Sequence, residues 1–140
     1  SHEREEIEER TDALGQQVQE AKTCLDMLEL EIGKLRESTG GSGYDNEEVM
    51  DIIEQFTEES AVMVERLHML NNQNKMLSTE NEELKLQIDQ SVESDQPMVA
   101  GLKNKLQQQS DEIIELQASY KKLEEQYLNL YQSTQQNSTP

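Results

Sequence analysis

The sequence predicts an all-α protein of long coiled-coil helices, in which a helical hairpin forms a bundle that extends into a parallel two-stranded coiled coil. Apolar residues recur in alternating steps of three and four along most of the chain, which is the period of supercoiled helices. Only 33% of the 140 residues are hydrophobic and 30% are charged, whereas a globular domain is close to half apolar. A Gly-rich run and a polar stretch that ends at Pro97 divide the chain into three segments.

The charge balance restricts the kinds of partner. The chain carries 30 acidic and 12 basic residues, a net charge of −18. Nucleic acid and anionic membrane both require clustered Lys and Arg, so we expect neither as a partner. Acidic chains with few aromatic residues are often disordered, but disordered sequence lacks a sustained apolar period. We therefore expect disorder only at the breaks and in the C-terminal tail.

The cysteine count and the absence of long apolar runs indicate the compartment. Cys24 is the single cysteine, so no internal disulfide can form and a reducing, cytoplasmic compartment is expected. No apolar run approaches the length of a membrane span, and no signal or transit peptide is recognisable, so membrane insertion is not expected. Ser1-His2 is interpreted as the remnant of a purification tag.

The first helix is predicted over residues 3–38. Its apolar seam alternates steps of four and three without exception, and Gly40 suits the left-handed residue that closes a helix. Cys24, Met27 and Leu30 add apolar groups beside the seam, so this helix has a surplus that one partner would not cover. The predicted seam is Ile7, Thr11, Leu14, Val18, Ala21, Leu25, Leu28, Ile32 and Leu35.

Residues 39–44 are predicted to be a flexible linker, because they contain a Gly-Gly-Ser-Gly run. The run is either a natural loop or an engineered tether that fuses two separate segments. A linker of about five residues spans at most ~17 Å, far less than the ~50 Å length of the first helix. If the first two helices of one chain touch, they are therefore antiparallel.

The second helix is predicted over residues 45–91. Asp45 can cap the first turn, and Glu48 follows three residues later as in a capping box, with Tyr44 placed to pack on Val49. Further apolar residues beside the N-terminal part of the seam predict a four-helix region there, made by two copies of the hairpin. These surplus residues are Met50, Ile52, Val62 and Val64, and the predicted seam is Val49, Ile53, Phe56, Ser60, Met63, Leu67, Leu70, Asn74, Leu77, Asn81, Leu84 and Ile88.

Residues 70–88 form a narrow seam with polar flanks. The a and d positions of the heptad are occupied by Leu70, Leu77 and Leu84 at d and by Asn74 and Asn81 at a. The stretch resembles the leucine zippers of parallel two-stranded coiled coils found in cytoskeletal, centrosomal and vesicle-tethering scaffolds. The resemblance implies a homodimer or a heteromeric helical partner, with the buried asparagines selecting the register. The zippers of DNA-binding factors follow a basic helix, but the segment before this one is acidic.

Residues 92–97 are predicted to be a hinge, because Pro97 interrupts the helical pattern. The seams on the two sides do not share a heptad register: extending the second seam puts Leu102 at an a position, whereas the third seam requires it at d. Two interpretations remain open. We favour a kinked continuous rod over a loop that lets the third helix leave.

The third helix is predicted over residues 98–132, with a disordered tail at 133–140. Two tyrosines at a positions and a glutamine at d would weaken a simple dimer seam. The helix is either a coiled coil that tolerates these residues or a docking surface for another helix, extended by Leu128 and Tyr131. The predicted seam is Val99, Leu102, Leu106, Gln109, Ile113, Leu116, Tyr120, Leu123, Tyr127 and Leu130.

The sequence contains no constellation of residues typical of an enzyme. We expect no catalytic residue, no cofactor, no metal ligand and no small-molecule substrate. The glutamates repeat along solvent-facing sides of the helices. His68 lies at an outward b position, and no second His or Cys lies one turn away to complete a metal-ligand pair.

The function predicted is that of a non-enzymatic structural scaffold whose coiled coil mediates homo- or hetero-oligomeric assembly, in cytoskeletal or centrosomal organisation. One alternative is an adaptor or tether whose helical face binds a regulatory protein such as a small GTPase. Another is a monomeric three-helix bundle. The polar flanks within residues 71–87 argue against the bundle, on the reasoning that this helix would then need two apolar faces.

Overall fold

The computed structural model describes residues 2–39 and 46–138, which form three α-helices: α1 (His2–Thr39), α2 (Asn46–Gln90) and α3 (Pro97–Ser138). The helices contain 38, 45 and 42 residues, so they are about 57, 68 and 63 Å long. Their sequences are rich in Glu, Gln, Leu, Lys and Met, which have high helix propensity. The prediction of an all-α fold is confirmed.

Each helix packs against the other two, and contacts between side chains define their directions. Arg10, near the start of α1, contacts Glu80, near the end of α2, so these two helices are antiparallel. The amide of Asn81 reaches Leu106 near the start of α3, and hence α3 also runs antiparallel to α2. Consequently α1 and α3 are parallel. The ion pair between Lys22 of α1 and Glu112 of α3, at 3.7 Å, is consistent with this direction.

The three seams meet along one common axis. Every seam side chain that the structure describes is buried, apart from Ser60, which is half-buried. The argument against a three-helix arrangement was wrong, because a single seam that faces the axis contacts both neighbouring helices and α2 needs no second apolar face. The side chains of Val49, Ile53 and Phe56 lie outside the described residues.

Residues 91–96 form a tight turn between α2 and α3. The Ser91 hydroxyl accepts a hydrogen bond from the Glu93 amide at 3.2 Å, and the Ser94 amide donates to the Ser91 carbonyl at 3.1 Å. Pro97 is the first residue of α3, a position whose amide has no helical partner in any case. Because α3 returns along α2, the kinked continuous rod that we favoured is replaced by the loop.

The helix bounds differ from the prediction mainly at the C-terminus. The ends of α1 and α2 each differ by a single residue from those predicted. In contrast, α3 continues to Ser138 through most of the segment predicted to be a disordered tail. Residues 40–45, which include most of the predicted linker and the cap at Asp45, lie outside the described residues. Within the described ranges, no helix has a stretch long and apolar enough to cross a membrane.

Candidate interaction site: the buried amide layers

Four polar side chains interrupt the otherwise apolar core. Thr11 on α1, Asn74 and Asn81 on α2, and Gln109 on α3 are exposed by only 0%, 1%, 1% and 4%. All four occupy seam positions predicted from the heptad period. Burying a polar group lowers stability unless a hydrogen bond compensates for the lost contact with water. The partners of these side chains therefore decide what each one contributes.

Two of the amides connect one helix to the next. Asn81 Nδ2 on α2 donates to the backbone carbonyl of Leu106 on α3 at 2.9 Å. Gln109 Nε2 on α3 donates to the backbone carbonyl of Thr11 on α1 at 2.9 Å. A hydrogen bond of this kind contributes about 0.5–1.5 kcal/mol and is lost if either helix slides. Together the two bonds set the axial register of the bundle.

Gly15 leaves room for one of these bonds. A β-carbon at position 15 would lie 3.2 Å from Gln109 Nε2, whereas β-carbons at Gly33 and Gly101 would meet nothing within 4 Å. The sequence analysis did not identify Gly15 as part of the site. The available signal was a glycine in a helix interior next to a seam. Glycine disfavours the helix at such a position, so its presence there indicates that packing requires a small residue.

Asn74 differs from Asn81 in having no partner. Neither Nδ2 nor Oδ1 of Asn74 makes a hydrogen bond, although the side chain is 1% exposed. The Asn81–Leu106 contact sets the α2–α3 register, and one heptad further that register puts Asn74 level with Ile113, but Asn74 makes no corresponding bond to the backbone there. An unsatisfied buried amide costs about 1–3 kcal/mol. Asn74 is therefore an unfavourable residue for this bundle.

Tyr120 and Tyr127 of α3 lie in the core, and their hydroxyls have partners. The hydroxyl oxygen of Tyr127 lies 2.9 Å from Ser60 Oγ on α2. Tyr120 donates to a Glu124 carboxylate oxygen at 2.8 Å, and burial together with that carboxylate raises the pKa of Tyr120 to about 12. Of the residues suggested to extend a docking surface, Leu128 and Tyr131 are 48% and 39% exposed.

Ion pairs border the seam on the α1–α2 side. Arg10 reaches Glu80 at 2.8 Å, Glu83 at 3.8 Å and the Gln87 side-chain oxygen at 3.0 Å. In the structure Glu80 contacts α1, and Lys85 lies 3.8 Å from Glu82 on its own helix.

The apolar surplus predicted beside the seams lies mostly on the outside of the bundle, and the side chain of Ile52 lies outside the described residues. Five of these residues are between 49% and 65% exposed: Met27, Leu30, Met50, Val62 and Val64. Cys24 is partly buried and packs against the core. The four-helix region proposed to cover the surplus stays a prediction, as does the role of the seam in an oligomer.

Among the residues that the structure describes, no group of three or more His, Cys, Asp or Glu side chains is placed to hold a metal ion. His68 is exposed. Comparisons with protein-family models, curated proteins and solved structures found no significant match to this chain.

Proposed function

We propose that the chain is a non-enzymatic structural scaffold whose helical seams mediate assembly. The observation that carries this proposal is the continuous burial of the seams, with the Asn81–Leu106 and Gln109–Thr11 bonds holding the helices in one register. Such a module keeps groups attached along its length at fixed spacings, because the seam side chains that the structure describes join the three helices. The resemblance of residues 70–88 to scaffold zippers adds the proposed setting, in cytoskeletal or centrosomal assemblies.

The proposal can be tested in cells with a fluorescent reporter fused to the chain. We expect the reporter to concentrate in cytoskeletal or centrosomal structures. Leu84→Asp should disperse it, because Leu84 is 0% exposed and a charge there would open the seam. Leu86→Asp is the matched control, since Leu86 lies on the same helix but is 57% exposed. A reporter that stays diffuse with the intact chain, or that stays localised with Leu84→Asp, would contradict the proposed function.

The methionines on the outer face favour a second candidate, an adaptor that binds a regulatory protein. Met27, Met69 and Met76 are 60%, 65% and 72% exposed. Since α1 and α2 are antiparallel and Glu31 pairs with Arg66 at 2.7 Å, Met27 and Met69 border the same groove. Flexible methionine side chains adapt to varied partner surfaces.

Binding to small GTPases loaded with GDP or with a non-hydrolysable GTP analogue tests the adaptor. We expect binding to depend on the nucleotide and to be lost in a Met69→Glu, Met76→Glu double variant. Leu86→Glu supplies a control for added negative charge on α2. Binding that survives in the double variant would show that the GTPase contacts another surface and that this groove is not the binding site.

A further inference from the structure

We propose that the α2 seam has a second partner, the same segment of a second copy of this chain, paired in parallel and in register through Asn74. This inference rests on the proposed function and names the partner of its seam. In the closed bundle, α1 and α3 cover the seam within one chain. In the second state, α2 of another chain takes the place of both α1 and α3 over residues 70–88, which frees Glu80 from Arg10.

The unpartnered amide of Asn74 is the observation that points to this state. Both of its polar atoms lack a hydrogen bond at 1% exposure, while Asn81 one heptad away bonds to Leu106. An apolar residue would suit the closed bundle better at position 74. The asparagine becomes favourable where a hydrogen-bonding group faces it, and the amide of a second asparagine is such a group.

A parallel second copy supplies that amide. An asparagine side chain holds both a donor and an acceptor, so two copies can bond to each other across a dimer seam. Only a parallel, in-register pair places Asn74 opposite Asn74 and Asn81 opposite Asn81 at the same time. An antiparallel copy would bring apolar seam residues against at least one of the asparagines.

The remainder of the segment fits one parallel partner. Leucine fills the d positions between and beside the asparagines, as two-stranded parallel coiled coils prefer. The flanking side chains are polar, so a single partner helix would leave no apolar flank exposed to water. Lys85, whose ion pair is with Glu82 on its own helix, lies at an e position from which it can reach Glu80 of a parallel copy.

The closed bundle and the pair of chains compete. Helices joined in one chain meet at an effective concentration of the order of millimolar, so α1 and α3 cover the seam when the protein is dilute. Crowding of many chains at one location favours α2 of a neighbour. The loss of the Asn81–Leu106 bond is balanced in the pair, because Asn81 then faces its own copy, whereas Asn74 gains a partner only in the pair.

Sedimentation equilibrium over a wide range of concentrations tests the exchange. We expect a mass of 16.1 kDa in dilute solution that rises towards twice that value as concentration increases. Asn74→Ala should raise the dimer dissociation constant about tenfold or more, since an amide pair worth at least ~1.4 kcal/mol is lost only from the dimer. Asn81→Ala is the matched control, which should change that constant less because it removes a bond from both states.

A spin label at Leu86→Cys, in a Cys24→Ser background, reports the direction of the pair. Leu86 is 57% exposed and lies near one end of α2, so only a parallel pair brings the two labels close together. A mass that stays at the single-chain value at every concentration overturns the proposal. A dimer with widely separated labels also overturns it, yet leaves the scaffold function standing. If the fluorescent reporter fails to localise, the proposed scaffold function is contradicted, whereas the mass and the distance between the labels still decide whether the parallel pair forms.

Discussion

The side-chain amide of Asn81 on α2 donates a hydrogen bond to the backbone carbonyl of Leu106 on α3 at 2.9 Å, inside a core that is otherwise almost wholly apolar. One heptad away, Asn74 is equally buried and has no partner. The two asparagines occupy equivalent heptad positions and yet contribute differently to the same bundle.

Substitution of each asparagine by leucine, which branches at the same atom and has no polar group, should separate the two contributions. Asn74→Leu removes an unsatisfied amide, and we expect the free energy of unfolding to rise by about 1–3 kcal/mol. Asn81→Leu also removes a hydrogen bond, so its gain should be smaller by about 1 kcal/mol. Denaturant titration in dilute solution measures both. Equal gains would show that the Asn81–Leu106 bond contributes nothing to stability.

The helical glycines provide a second matched pair. Gly33→Ala should raise the free energy of unfolding by about 0.5–1 kcal/mol, because alanine has the higher helix propensity and meets open space there. Gly15→Ala should gain clearly less, since its β-carbon would crowd the Gln109 amide that bonds to Thr11. Thermal unfolding of the two variants gives the comparison. A gain at Gly15 that matches the gain at Gly33 would mean that the Gln109 side chain moves aside without loss.

The raised pKa of Tyr120 predicts that the protein loses stability at high pH. Its folded pKa of about 12 lies above the ordinary value of about 10, so folding favours the neutral phenol. This contribution is complete below about pH 10 and is lost as the pH rises through about 12. We expect the free energy of unfolding to fall more steeply over this range in the natural sequence than in Tyr120→Phe. Parallel curves for the two proteins would contradict the assignment, because lysine titration is common to both.

The seam of α1 predicts that a chain cut between residues 40 and 43 stays associated. The side chains of α1 that face the axis are buried, and Arg10 and Glu31 pair with α2, so the two fragments should elute together on size exclusion. Leu28→Asp should separate them, because Leu28 is 2% exposed, while Met27→Asp, at 60% exposed, should not. Separation of the unmodified fragments would show that the linker is needed to hold α1 in place.

Sequence reasoning located the helices and the buried face of each helix over the described side chains, but not the neighbours of that face. Val18 and Leu84 were placed at seam positions by the heptad period and are both 0% exposed. The register mismatch beside Pro97 marked a break, but the preference for a kinked rod was incorrect. A mismatch in heptad register shows that the repeat is interrupted. It carries no information about the angle at which the next helix leaves.

The sequence by itself determined the all-α class, the break before Pro97 and the buried side of each helix over the described side chains, because helix propensity and apolar periodicity depend only on residues close together in the chain. Only the tertiary structure decided that α3 returns along α2, that Asn81 bonds to Leu106 and that Asn74 bonds to nothing. An a/d seam has the same period whether it faces one helix or two. The partner of a buried amide is set by contacts between residues distant in sequence, which no local pattern specifies.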